Sequence, residues 1–179
     1  YTATFTPTSD STSNGVISVA SSKFSDSGGN ENADGSDSNN TLTLSVDTVR
    51  PTIAITSSAS SLKAGETATV TFTLSEAATD FIEGDISVSG GELSNFAASS
   101  STVYTATFTP TGNSTTDGII SVASSKFSDS AGNTNTDGSS SDNTLTLYVD
   151  TLVPNAPISL TTTSATTEYS TPTITGSAE

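Results

Sequence analysis

The chain repeats itself. TLTLSVDTVRP at 41–51 returns as TLTLYVDTLVP at 144–154, at an offset of 103 residues. Residues 1–51 align with 104–154 without a gap and are identical at 38 of the 51 positions. A repeat of that length is one domain. The fold must therefore be a module of about 100 residues, and VDTxxP is the seam between two copies.

Within a copy the patterning alternates instead of spiralling. YTATFT at 1–6 and again at 104–109 puts a large or apolar side chain at every second position, with threonine between, as a half-buried strand requires. In the copy spanning 49–151, strands are predicted at 52–56, 68–74 and 86–89, around Leu93 and Phe96, and at 104–109, 119–123 and 144–149. Ile53 and Ile55 share one face of the first strand, and Val70, Phe72 and Leu74 point inward from the second. Ala64-Gly65, Gly90-Gly91, Asp117-Gly118 and Asp137-Gly138 read as turns. Tyr104 and Phe108, like Tyr1 and Phe5, read as core and not as a sugar-stacking platform.

Residues 1–48 carry the last three of these strands, and a long polar loop at 25–40 turns at Gly28, Gly29 and Asp34-Gly35. Residues 152–179 open a differently worded unit, with PNAP at 154–157 and TPTITGSAE at 171–179. About seven short strands per copy predict an all-β fold of tandem immunoglobulin-like β-sandwiches. On this reading 1–48 is the C-terminal half of one sandwich, 49–151 is complete, and 152–179 begins another. The chain starts mid-repeat at Tyr1, with no initiator Met, leader or membrane-spanning apolar run, so it is expected to be an internal slice of a longer polypeptide. The half-copy is expected to expose sheet edges and a core face.

Composition excludes several chemistries. The formal charge is −15, with Lys23, Arg50, Lys63 and Lys126 as the only basic residues. No basic patch exists to displace counterions from phosphates, which argues against nucleic acid. Anionic membrane surfaces are disfavoured for the same reason. The absence of cysteine removes disulfides and thiolate zinc sites, and the absence of histidine removes most hydrolase triads. Glu83 and Asp85 could pair for glycosidase chemistry, but no aromatic cleft residues accompany them, so no enzyme is expected.

A set of motifs carries a family resemblance. DTVRPTI from Asp47, LKAGETATV from Leu62, LSEA from Leu74, DISVSGG from Asp85, YTATFTP from Tyr104 and DSAGN from Asp129 together resemble the bacterial Ig-like repeats of giant surface adhesins and biofilm-associated proteins. The likeness covers one full repeat and half of another, and the tail is similar to a sister Ig-like type. It implies a secreted, cell-surface, tandem-repeat stalk, often stiffened by calcium between domains. The aromatic expected before the DxAGN loop is Phe127. Gly28 stands in copy one where copy two has Ala131, and the alanine usual before the seam proline is Arg50 or Val153.

Strand direction suggests where an ion would sit. The first strand leaves the seam, the second returns to it, and so does the strand at 119–123. Three acidic segments are thereby expected at one end of the complete copy: Asp47, then Glu76, Asp80, Glu83 and Asp85, then Asp129 and Asn133. Calcium takes six to eight oxygens from carboxylates, amides and backbone. Asp150 is expected to play the part of Asp47 at the next seam, and Asp26 that of Asp129 in the half-copy. The competing reading makes these acids solvated loop residues, present because Asp and Asn form turns.

The expected partners are neighbouring repeats of the same chain, with no nucleic acid and no direct membrane insertion of this segment. An adhesive ligand, an extracellular surface or a glycan, would be gripped by another region. Two other functions fit the same residues: repeats that themselves bind glycans or host proteins, and accessory linkers of a secreted enzyme.

Overall fold

The computed structural model describes residues 1–33, 38–137 and 140–156, and the backbone of two short strands further on. Asp34-Gly35, Gly138, Pro157 and most of 170–179, read above as turns and as the tail unit, lie outside the described residues. In chain order the strands are β1 (Gly15–Ser18), β2 (Thr41–Leu44), β3 (Ile53–Ser57), β4 (Ser61–Lys63), β5 (Ala68–Leu74), β6 (Ile86–Ser89), β7 (Gly91–Ala98), β8 (Val103–Pro110), β9 (Gly118–Val122), β10 (Thr144–Asp150), β11 (Thr161–Thr162) and β12 (Ile174–Thr175).

Two four-stranded sheets, ordered β3-β5-β8-β7 and β4-β10-β9-β6, form an immunoglobulin-like sandwich between Ile53 and Asp150. The alternation read from sequence drives it. In β5 every second side chain (Ala68, Val70, Phe72, Leu74) is buried, and the threonines between them face out or sit half-covered. Branched and aromatic residues suit such a pleated, half-buried surface. Antiparallel pairing sets Phe72 opposite Tyr104 and Val70 opposite Ala106. From the other sheet come Ile120, Val122, Leu147 and Val149. Burying each large side chain contributes about 1.5–3 kcal/mol.

β4 was not foreseen. Its three residues pair in parallel with Tyr148–Asp150 of β10, so the first strand of the sandwich splits, β3 serving one sheet and β4 the other. Only Leu62 of β4 is buried, too little periodicity to read. The complete copy therefore has eight strands where about seven were predicted. A second correction concerns Asp117-Gly118, which forms no turn: Gly118 opens β9, and a Cβ there would fall on the Phe108 ring. The glycine is needed for close approach, not for bending.

Tyr1–Thr6 is likewise not a strand, although its twin at 104–109 is. In the complete copy that sequence is zipped between β5 and β7. Among the described residues nothing plays those roles for 1–6, and Tyr1 and Phe5 are exposed. β1 and β2 pair as a two-stranded sheet whose Ile17 and Leu42 are also exposed.

The long connection between β9 and β10 is ordered by buried polar groups. Asn135 is fully buried; its Oδ1 accepts from the Lys126 and Phe127 amides at 2.6 and 3.1 Å, and its Nδ2 donates to Ala123 O at 3.1 Å. Asp137, also buried, accepts from the Ile53 amide at 2.9 Å and so ties the loop to β3. Removing one partner strands the others without water, at about 1–3 kcal/mol per group. Asn135→Ala is expected to lower the stability of the sandwich by about 2–4 kcal/mol, read as a shifted midpoint in urea denaturation. Asn32→Ala, whose side chain makes the same bonds on an exposed loop, should cost far less.

Candidate metal centre at the seam

The seam begins where β2 ends. Asp47 Oδ1 accepts from the Val49 amide at 3.1 Å, and Thr48 Oγ1 donates to Thr8 O at 2.7 Å. The same turn recurs at Asp150–Leu152 and Thr151, so VDT folds alike in both copies. Pro51 is buried and fixes φ at the crossing point.

Across the seam the loop after β9 meets this turn. Asn133 Nδ2 donates to Asp47 O at 3.2 Å. Arg50 reaches the same loop, donating from Nε to Thr134 O at 2.9 Å and from Nη2 to Thr134 Oγ1 at 2.6 Å. Arg50 thus becomes a latch, which Val153 cannot form at the next seam.

Asp129 is held by its own loop. Its Oδ1 accepts from the amides of Ala131 and Asn133 at 2.8 and 2.9 Å, and its Oδ2 accepts from Asn133 Nδ2 at 2.7 Å. Asp26, Gly28 and Asn30 build the same closed loop in copy one. The loop between β5 and β6 comes in from the other side. Its anchor is Phe81, buried edge-on against Phe72, Phe96, Tyr104 and Phe127 at ring separations of 5.0–5.9 Å. Asp80 then stitches the two loops, accepting from the Ser128 amide at 2.6 Å and its hydroxyl at 3.2 Å, while Thr79 N–H donates to Ser128 O.

These constraints bring Asp47, Glu76 and Asp129 together. One carboxylate oxygen from each lies within 4.8 Å of the other two, the one such group among the described residues. Glu76 Oε1 is buried with no hydrogen-bond partner. The one ion pair among the described residues, Lys63–Glu66 at 3.6 Å, is elsewhere, so no cation neutralises the cluster. Like charges so placed repel by a few kcal/mol at an effective dielectric constant of about 20. Burial, then Asp129 and Asp47, push the Glu76 carboxyl above its ordinary value. At Asp129, burial pushes upward, but the hydrogen bonds from Asn133, Ala131 and Gly132 outweigh it and the carboxyl sits below its ordinary value.

The other sequence-predicted residues take different places. Asp80 is engaged with Ser128. Glu83 is exposed in a single 3-10 turn, Glu83–Asp85, and Asp85 Oδ2 accepts from the Ile82 amide opening that turn. Asn133 braces the cluster from both sides, and Asp150 repeats the Asp47 turn at the next seam. The positioning groups Phe81, Asn135, Asp137 and Arg50 carried no motif that marked them as part of a site, although all but Phe81 sit within the recognised loop and seam.

The donor set is all oxygen, with one orphaned carboxylate oxygen and no counter-cation, which suits a hard divalent ion. Asp47, Glu76 and Asp129 would hold it.

The family model described as bacterial Ig-like domain matches residues 1–43 and 47–146. The chain belongs to this family. No curated protein and no solved structure matches it. Bacterial Ig-like domains are a non-catalytic domain type and commonly occur in surface proteins. No helix among the described residues is long and apolar enough to cross a membrane.

With divalent ions chelated, Glu76→Gln is expected to raise stability at neutral pH, because it removes an uncompensated buried charge. The sign follows from the raised folded value: between it and the unfolded value near 4.5, the native state binds more protons. The parent therefore gains stability as pH falls through that window, and the advantage of the variant shrinks to nothing near its lower end. Urea midpoints of both proteins across this range check it.

Proposed function

We propose that this chain is a stretch of a non-catalytic, tandem-repeat stalk of a bacterial cell-surface adhesin, stiffened at its seams by calcium. The observation that carries the reading is the convergence of Asp47, Glu76 and Asp129 from two successive repeats, with Glu76 Oε1 buried and unpartnered. Asp47 leaves copy one; Glu76 and Asp129 belong to copy two. An ion shared by the three would link the repeats, in addition to Arg50 and Asn133. The repeat architecture and the surface-protein family support an extracellular setting, where calcium modules bind at about 10⁻⁴–10⁻³ M.

Binding to the folded state alone would add about 1.4 kcal/mol at ten times Kd. Without the ion, mutual repulsion would open the seam, leaving Arg50 and Asn133 to hold it. Three carboxylates from separate segments, in no regular octahedron, suit calcium better than magnesium, which demands a tighter octahedron and keeps its waters. Asp150 would serve the next seam in the same way.

The test is thermal unfolding of the whole chain in calcium, in magnesium and in chelator, paired with small-angle scattering. Calcium is expected to raise Tm by on the order of 5–10 °C and to lengthen the largest dimension. Glu76→Gln should abolish both effects. Identical melting and scattering curves in calcium and chelator would discard the reading.

A further inference from the structure

The two copies differ at thirteen of the 51 aligned positions, and three of these differences gather on one outer face of the complete copy. Asn14, Val16 and Ser45 of copy one are Asp117, Ile119 and Tyr148 in copy two. Thr146 pairs with Ile119 across β10 and β9, and Tyr148 lies two residues further along β10, so the two apolar side chains are diagonal neighbours. Tyr148 is 67% exposed and Ile119 43%.

Tyr148 walls an open depression of about 480 Å³, rimmed by Ser61, Lys63, Glu66, Asp117 and Asp150. Asp117 spends Oδ1 on the Val149 amide and Asp150 spends Oδ1 on the Leu152 amide, each at 3.2 Å. Their Oδ2 atoms and the hydroxyls of Ser61 and Tyr148 have no partner among the described residues. Lys63 is paired with Glu66, which leaves Asp117 and Asp150 as uncompensated charge at the rim.

We propose that this depression is a saccharide subsite of the complete copy, selective for an amino sugar. The sugar would lie with its axial C–H face on Tyr148, its equatorial protonated amine would point from the ring edge to the open carboxylate oxygens, and its hydroxyls would meet Ser61, Asp117 and Asp150. An ammonium so placed donates charge-assisted hydrogen bonds to the two carboxylates, which an N-acetyl group cannot match. Acidic sugars are rejected by two unpaired carboxylates and by the −15 charge of the chain. A lysine side chain would satisfy the amine position but leave the surrounding hydroxyls and second carboxylate without polar partners. Copy one, with Ser45 and Asn14, has neither the platform nor the charge. The subsite does not depend on the stalk reading; it shares Asp150 with the next seam, but the variants that test it, at Tyr148 and Asp117, leave Asp47, Glu76 and Asp129 untouched.

The experiment is titration of the whole chain, in calcium, with a β-1,4-linked glucosamine tetrasaccharide, followed by amide NMR shifts. The expected result is perturbation centred on Ser61, Lys63 and Tyr148, with weaker binding of the fully N-acetylated tetrasaccharide at the same amides. Tyr148→Ser and Asp117→Asn install the residues of copy one, and the asparagine keeps an acceptor for the Val149 amide, so both should fold. Each is expected to weaken binding by on the order of tenfold, with Tm and its calcium response unchanged.

Three results would overturn the proposal. One is shifts spread over the acidic surface, another is undiminished binding by Tyr148→Ser, and the third is equal shifts at these amides from tetralysine. Equal binding of the two tetrasaccharides would overturn the selectivity for an amine.

Discussion

The loop that carries Asp129 to the seam depends on two buried polar side chains, Asn135 and Asp137. The connection from β9 to β10 has only an isolated bridge, Ser128 with Thr134, and a few backbone bonds of its own, and its remaining amides would be costly to bury unpaired. Asn135 satisfies the Lys126 and Phe127 amides and the Ala123 carbonyl, and Asp137 takes the Ile53 amide at the start of β3. With that done, Phe127 can seat in the core and Asp129 is carried to the end of the sandwich. The polar interior of the loop therefore places Asp129 beside Asp47 and Glu76.

Preorganisation at the seam is divided between local and long-range causes. The Asp129 loop is local: Asp26 folds the same way in copy one, where no such carboxylate cluster forms among the described residues. Glu76 arrives by a different route, through Phe81 packed into the aromatic cluster and Asp80 bonded to Ser128. Asp47 comes from the neighbouring repeat, held by Asn133 and by the Arg50 latch. Three carboxylates are thus brought near one another by contacts that oppose their mutual repulsion, and that repulsion strains the Arg50 and Asn133 ties across the seam.

The comparison between copies separates what the core demands from what the surface permits. Phe5/Phe108, Ile17/Ile120, Val19/Val122, Phe24/Phe127, Leu44/Leu147 and Val46/Val149 are unchanged pairs. In the complete copy each second member is fully or nearly fully buried. Gly15 and Gly118 are also unchanged, because a Cβ at either would fall on the phenylalanine ring beneath it. Outward positions carry no such restriction, so Ser45 can become Tyr148 and Asn14 can become Asp117 without disturbing the interior, and a face of β10 acquires new chemistry.

Sequence by itself determined the repeat, its period, the all-β sandwich and the inward residues of β3 and β5, since period-two alternation fixes which face is buried. It also placed Asp47, Glu76 and Asp129 at one end, because strand direction alone decides which loops share an end. It did not separate them from Asp80, Glu83 and Asp85, which have the same composition and lie on the same loop. Only the tertiary structure decided that Asp80 bonds Ser128 and that Asp85 closes a 3-10 turn, because side-chain partners are set by packing around Phe81 and not by spacing. The structure alone also showed that, among the described residues, Tyr1–Thr6 is unpaired while the identical Tyr104–Thr109 lies within β8. A strand is made by its neighbours: alternation offers a face, and pairing with β5 and β7 turns it into β8.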